Sequence, residues 1–245
     1  MAAPRFFAPF DLTPAAVGSE IALPDAVAHH AVRVLRLAAG AAITLFTGDG
    51  GEYAATIARI DKRGATAAIL HFDPVERESP LAVTLAQAVA ANDAMDNAVR
   101  KAVELGAAAI QPVVTARSAP LAGGERTEKR LAHWRQIAVA ACEQCGRNRV
   151  PPVAAPIALA EWLAAWSGDG IVLDPGAVST LSSVTMSPGP LAVLIGPEGG
   201  LAEREIAAAT ARGFVAVRLG PRVLRTETAG TAILAAFQMM GGDFR

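Results

Sequence analysis

The sequence predicts an α/β protein with a mostly parallel sheet, carried behind a small β-rich N-terminal domain. Three observations predict it. From Leu81 onward, apolar strand-like runs alternate with amphipathic helix-like segments. Residues 42–72 show instead short alternating runs separated by "GDGG" and "DKRG", which are turn signals between strands. Two loops that mix glycine, proline and a carboxylate, "GPEGG" and "LGPRVLRTE", each follow an apolar run. Open parallel sheets hold ligands at the carboxyl ends of their strands, where both loops fall.

The elements follow in order. The stretch "FDPVERESP" (72–80) is polar and proline-bounded and marks the boundary between domains 1–73 and 74–245. "LAVTLAQAVA" reads as a buried strand. "NDAMDNAVRKAVELG" reads as a helix capped by Asn92 or Asp93, with an apolar stripe through Met95, Val99 and Val103 and with Gly106 as its stop. "AAIQPVV" is a strand and "EKRLAHWRQIAVAACEQC" the centre of a long helix. "IVLD" and "LAVLI" are strands, "AEREIAAATARG" a helix and "FVAVRLG" a strand. "TETAGTAILAAFQMM" is a last helix opened by Thr226 or Thr228. No 20–50 residue repeat is present.

Composition narrows the function. A chain of 245 residues, 52% of them hydrophobic, can bury a sizeable core. The formal charge of -1 gives no strongly basic surface and the 5% aromatic content no broad stacking platform, so any RNA contact is local. The start, "MAAPRFFAPFDLTP", lacks an h-region and no apolar run approaches the roughly 18 residues of a membrane span. A cytoplasmic enzyme or binding protein with no membrane association is expected. Cys142 and Cys145 have C-x-x-C spacing, but His29, His30, His71 and His133 offer no second ligand pair, so no metal is expected.

Two loops carry the candidate chemistry. Gly196, Gly199 and Gly200 let backbone approach a ligand, Pro197 stiffens the turn, and the amides could cradle an anion at the following helix. Glu198 would repel a polyphosphate and no Walker lysine follows, so a neutral or cationic ligand suits the loop better. In the second loop Leu219 and Gly220 end a strand, and Pro221 rigidifies the crossing. Arg222 and Arg225 supply donors near the mouth, with Glu227 in the first turn of the last helix. The bland alternatives are a tight turn with a solvated glutamate and a helix-dipole residue with its ion-pair partner. Arg5, the pair Arg33 and Arg36, and the pair Arg147 and Arg149 are candidates for phosphate contact; Arg33 and Arg36, three apart, are on one side if their segment is helical. No G-x-S-x-G elbow, H-E-x-x-H, or G-x-G-x-x-G in the first strand-helix turn is present.

"EQCGRNRVP", "LIGPEGGLAEREI" and "LGPRVLRTETA", in this order behind "HHAVRVLR" and "GDGGEY", resemble the RsmE family of 16S ribosomal RNA uridine N3-methyltransferases in the SPOUT superfamily. The resemblance runs from Arg5 to the final helix. It implies a PUA-like β-barrel over 1–73 that helps hold RNA, and a SPOUT domain over 74–245 with a deep trefoil knot. It also implies a homodimer acting on one uridine of the small ribosomal subunit. S-adenosylmethionine is the implied cofactor, held by Leu173, Gly196, Pro197, Glu198, Gly199, Gly200, Leu219, Gly220, Leu224, Thr226, Thr228 and Ala229. Arg5, Arg33, Arg36, Arg147, Arg149 and Arg222 are then the RNA contacts. Uracil N3 is a poor nucleophile until its proton leaves, so Arg225 would stabilise the developing anion and Glu227 or Glu198 would take the proton.

The chain departs from the family pattern at "ANDAMD" (91–96), where relatives carry basic residues, and at Ala202, where serine or threonine is usual. The loss at Ala202 costs about 1 kcal/mol of capping. Two alternatives stay open: a SPOUT ribose 2'-O-methyltransferase acting on transfer or ribosomal RNA, and a non-catalytic RNA-binding protein.

Overall fold

A computed structural model describes residues 3–9, 13, 16–121, 123–184 and 189–244. By its internal contacts the chain divides into two compact units. The first comprises residues 1–78 with 142–150, the second residues 79–141 with 151–245. Residues 74–78 and 142–150 therefore group with the first unit, whereas the sequence places the boundary at 73/74 and assigns both segments to the second domain.

In the first unit, β1 (Arg5–Phe7) and β2 (Glu20–Ala22) precede the short helix α1 (Asp25–His29), which continues into a π-helical turn over His30–Val34. Three strands follow: β3 (Ala42–Phe46), β4 (Glu52–Asp61) and β5 (Gly64–Asp73). They make a five-stranded sheet in the order β1-β3-β4-β5-β2, antiparallel except for β1 on β3. Its pattern has period two: Tyr53, Ala55 and Ile57 of β4 and Ala65, Ala67 and Ile69 of β5 are buried, packed with Phe6, Leu23, Val27, Ile43 and Leu45. The helical segment ends at Arg36, whose φ of 55° is left-handed, with the Leu37 amide donating to the Ala31 carbonyl at 2.9 Å. Arg33 and Arg36 thus do not share a helix face, although both are exposed.

In the second unit, β6 (Val83–Ala88) leads to α2 (Asn92–Glu104), β7 (Ala109–Val114) and α3 (Gly124–Cys145), whose residues from Cys142 on group with the first unit. The chain continues through β8 (Ile157–Ala158), α4 (Leu159–Ala165), β9 (Asp169–Leu173), β10 (Leu191–Ile195), α5 (Glu203–Ala211), β11 (Val215–Val217) and α6 (Thr226–Met240). The six strands are all parallel, in the order β11-β9-β10-β6-β7-β8. The central strand β10 is buried at every position, as a sheet covered on both faces requires. Trp162, Leu163 and Phe214 pack on one cluster with Leu194, Val172 and Ala88. On α6, the buried Gln238 donates to the Leu105 carbonyl at 2.8 Å and accepts from the Ser79 hydroxyl at 2.8 Å, tying α6 to the end of α2.

The α/β class and the parallel sheet agree with the sequence expectation, and α6 has the span read from the sequence. Two details differ. The short pair β8 and α4 is absent from the sequence reading. Neither Asn92 nor Asp93 caps α2: its N-cap is Ala91, with no side-chain cap bond. The last helix opens on Thr226, one of the two residues the sequence offers, with Arg225 as its N-cap. The Thr226 hydroxyl is spent on another strand's loop. Among the described residues, no helix is long and apolar enough to cross a membrane.

Candidate functional site

The sequence at the carboxyl ends of β9, β10 and β11 breaks from buried apolar runs into loops, and those loops enclose a cavity of about 750 Å³. Leu173, Asp174 and Pro175 line it after β9. The turn 196–200 lines it after β10, and Leu219, Gly220, Arg222, Val223 and Leu224 line it after β11. Arg225, Thr226, Glu227 and Ala229 close it from the start of α6, and Ala91, Asp93 and Asn97 from the start of α2. Two glycines set the backbone path. A Cβ on Gly196 would lie 2.9 Å from the Leu201 amide nitrogen, and Gly200 has φ of 71°.

Hydrogen bonds to three other segments hold this turn. The Thr226 hydroxyl donates to the Gly196 carbonyl at 2.6 Å, and Arg117 Nη1 donates to the Gly199 carbonyl at 2.9 Å. Glu198 Oε1 accepts from the Ala91 amide at 2.8 Å. That bond gives α2 the N-terminal acceptor its own residues lack. Behind the turn, Glu205 accepts from the Ala202 amide at 2.8 Å and from the Ala116 amide at 2.7 Å, so half of a capping box survives although Ala202 has no hydroxyl.

The charge of the cavity is one-sided. Asp93, Asp174, Glu198 and Glu227 face Arg222 and Arg225, a formal excess of two negative charges. Such a site suits a cationic ligand and disfavours a polyphosphate. Among the described residues, the Arg225 guanidinium and the Glu227 carboxylate make no side-chain hydrogen bond, so both are available to a ligand.

The family described as the RNA methyltransferase domain matches residues 77–238, and the RNA methyltransferase PUA domain matches residues 23–70. The ribosomal RNA small subunit methyltransferase E of Buchnera aphidicola from Schizaphis graminum is 30% identical over 229 residues, 93% of each chain. The chain belongs to the ribosomal RNA small subunit methyltransferase E family. The crystal structure of the family protein from Neisseria gonorrhoeae bound to S-adenosyl methionine is 41% identical, covers 100% of each chain and superposes with a TM-score of 0.92. A methyltransferase from Legionella pneumophila, in complex with the bound cofactor SAM, is 36% identical over 100% of each chain with a TM-score of 0.95.

Within this family member, eleven of the twelve expected cofactor positions line the cavity, as do Arg225, Glu227 and Glu198. Thr228 does not line it and is exposed on α6. The six arginines expected at RNA divide. Arg222 lines the cavity, and Arg33 and Arg36 are exposed. Arg149 is exposed and pairs with Glu76 at 3.2 Å. Arg5 turns inward onto Glu52 and onto Asn148 Oδ1, the latter at 2.6 Å. Arg147 is 4% exposed and donates to Glu78, its Nε at 3.0 Å. Their guanidinium groups face protein carboxylates, so spacing alone did not reveal that these two arginines lie inside the first unit.

Sequence reasoning missed Asp93, Asn97, Asp174, Leu201 and Ile206. Asp174 had a signal, since it directly follows the strand "IVL" at the sheet edge where ligands bind. Ile206 had none, because its approach to the cavity depends on how α5 packs. Of the C-x-x-C pair, Cys142 is fully buried, and burial pushes its thiol up to about 12, while Cys145 is half-buried. Among the described residues, no group of three or more His, Cys, Asp or Glu side chains is arranged to hold a metal ion.

Proposed function

We propose that the protein transfers a methyl group from S-adenosylmethionine to N3 of a uridine in 16S ribosomal RNA, acting as a homodimer on the small ribosomal subunit. The observation that carries this reading is a carboxylate-rich, glycine-walled cavity in a chain similar over its full length to a family protein solved with S-adenosyl methionine. The residues fit that cofactor: Leu173, Leu219 and Leu224 offer apolar surface to a purine, and Glu198 and Glu227 favour a cationic centre. When bound, S-adenosylmethionine supplies an electrophilic methyl group on a positively charged sulfur.

The chain's own residues do the rest. Arg225, exposed at the start of α6, stabilises the uracil oxygens as N3 gains negative charge. Glu227, half-buried and without a side-chain partner among the described residues, accepts the N3 proton directly or through water. Glu198, held by the Ala91 amide, shapes the turn and contributes charge. Residues 1–73 form the barrel that holds RNA and 74–245 the transferring domain, with Arg33, Arg36, Arg149 and Arg222 as the phosphate contacts. A trefoil knot belongs to the same reading. Its support is the similarity of the whole chain to the family, to which the knot belongs.

The test is methyl transfer from labelled cofactor to small subunits lacking the mark, followed by nucleoside analysis. Labelled 3-methyluridine is the expected product. A ribose 2'-O-methyl product, or binding of RNA without transfer, would overturn the reading.

A further inference from the structure

We infer that Gln87, outside the cavity, is a positioning residue that sets the separation of the two cofactor loops, an inference that rests on the function proposed above. Gln87 is the penultimate residue of β6, the strand beside β10, and is fully buried. Its Nε2 donates to the Ala88 carbonyl at 3.0 Å and to Thr226 Oγ1 at 2.8 Å. Thr226 Oγ1 donates in turn to the Gly196 carbonyl at 2.6 Å. Three segments distant in sequence, the end of β6, the turn after β10 and the first residue of α6, are joined by this relay.

The proton directions are fixed by chemistry. The Gly196 carbonyl can only accept, so the single Thr226 hydroxyl proton points there. The Thr226 oxygen must then accept from Gln87. The Ala88 carbonyl also only accepts, so both protons of the Gln87 amide nitrogen are committed. A carboxylate of the same shape donates neither, and an apolar side chain donates nothing.

This arrangement has a cost that a simple packing role would avoid. With both donors committed, Gln87 Oε1 is buried with no partner among the described residues. A residue needed only to fill the core would be leucine or methionine here. The relay is the gain that offsets that cost, because Gly196 and Thr226 both line the cavity while Gln87 does not. Losing Gln87 leaves the walls present but free to shift relative to one another.

The experiment uses the full chain as Gln87→Leu, Gln87→Glu, Thr226→Val, Thr226→Ser and the double variant Gln87→Leu with Thr226→Val. Two readouts are taken: the dissociation constant for S-adenosylmethionine by calorimetry, and amide exchange across residues 196–201 without added cofactor. The expected result is a Kd raised about tenfold in Gln87→Leu, Gln87→Glu and Thr226→Val, with faster exchange in the turn. The double variant is no weaker than Thr226→Val, Thr226→Ser retains near-normal affinity, and KM for the cofactor rises more than kcat falls. Wild-type affinity and exchange in Gln87→Leu, or multiplied losses in the double variant, would overturn the inference. Should Gln87→Leu fail to fold, the comparison of Thr226→Val with Thr226→Ser decides, and equal affinity in the two sinks it. If the unaltered protein binds no S-adenosylmethionine, the proposed function fails while turn exchange still tests the relay.

Discussion

Glu198 and Ala91 lie 107 residues apart in sequence, yet the carboxylate of one accepts the backbone amide of the other at 2.8 Å. The glutamate that stands where a phosphate loop would carry lysine is therefore the cap of a helix it does not belong to. It couples the turn after β10 to the start of α2, and Glu198 also lines the cavity.

Glu198→Gln keeps an acceptor for the Ala91 amide and removes the charge, whereas Glu198→Ala removes both. Calorimetry with S-adenosylmethionine should show weakened binding in each, since a cationic ligand loses an attracting carboxylate. Thermal unfolding should separate them: only the alanine variant loses about 1 kcal/mol of stability from the broken cap. Equal destabilisation by the two would show that charge, and not acceptance, matters at Ala91.

Gly196→Ala puts a methyl group 2.9 Å from the Leu201 amide nitrogen and 3.0 Å from the Gly200 carbonyl carbon. Both neighbours are backbone, so the turn itself has to move, at a cost of about 1–3 kcal/mol. The protein should still fold, with cofactor affinity lowered at least tenfold. Retained affinity would mean that the turn opens without disturbing the ligand.

Arg225→Ala tests the transfer step apart from binding. The expected outcome is a kcat lowered by about two to three orders of magnitude with cofactor affinity within a few-fold of wild type. Arg225→Lys should recover only part of the rate, because one ammonium cannot match a planar fork. Single-turnover methyl transfer at saturating RNA provides the measurement, and full activity in the alanine variant would remove Arg225 from the mechanism.

Glu52 contributes to acid stability in the first unit. Burial raises its pKa, but hydrogen bonds from Arg77 and Arg5 outweigh that and hold the carboxyl below its ordinary value. A lowered folded-state pKa gives stability that is present above the unfolded value of about 4.3 and is lost as pH falls through the folded one. Glu52→Gln should therefore lower stability near neutral pH and flatten its decline in acid. Denaturant unfolding at a series of pH values checks both, and parallel curves for variant and wild type would exclude the role.

Arg147 and Glu78 offer a contrast with surface ion pairs. Arg147 is 4% exposed, and Glu78→Gln removes a carboxylate charge that faces its buried guanidinium. A loss of about 3 kcal/mol is expected, against well under 1 kcal/mol for Glu125→Gln, whose partner Lys129 is solvated. Urea unfolding of both variants measures the difference.

Much of the fold was legible because it rests on local periodicity. The apolar run at β10, the amphipathic stripe of α2 and the uninterrupted span of α6 follow from residue spacing, and the glycine-bearing loops after strands mark the ligand end of a parallel sheet. What failed was each inference that assigned a partner from sequence neighbours. The cap of α2 was sought in Asn92 or Asp93 and came from Glu198. Thr226 opens α6 as the sequence indicated, but its hydroxyl donates to Gly196, a partner that spacing did not show. Arg5 and Arg147 were read as surface charges and face Glu52 and Glu78.

The sequence by itself determined the α/β class, the turn chemistry of the two loops and the residue types that favour a cationic cofactor over a polyphosphate. These properties reside in individual residues and their near neighbours. Only the tertiary structure decided which side chains meet: that Glu198 completes α2, that Arg147 is buried, and that Gln87 reaches a cavity it does not line. The physical reason is that a hydrogen bond depends on separations of about 3 Å in space, and strand order brings together residues whose distance along the chain carries no record of that contact.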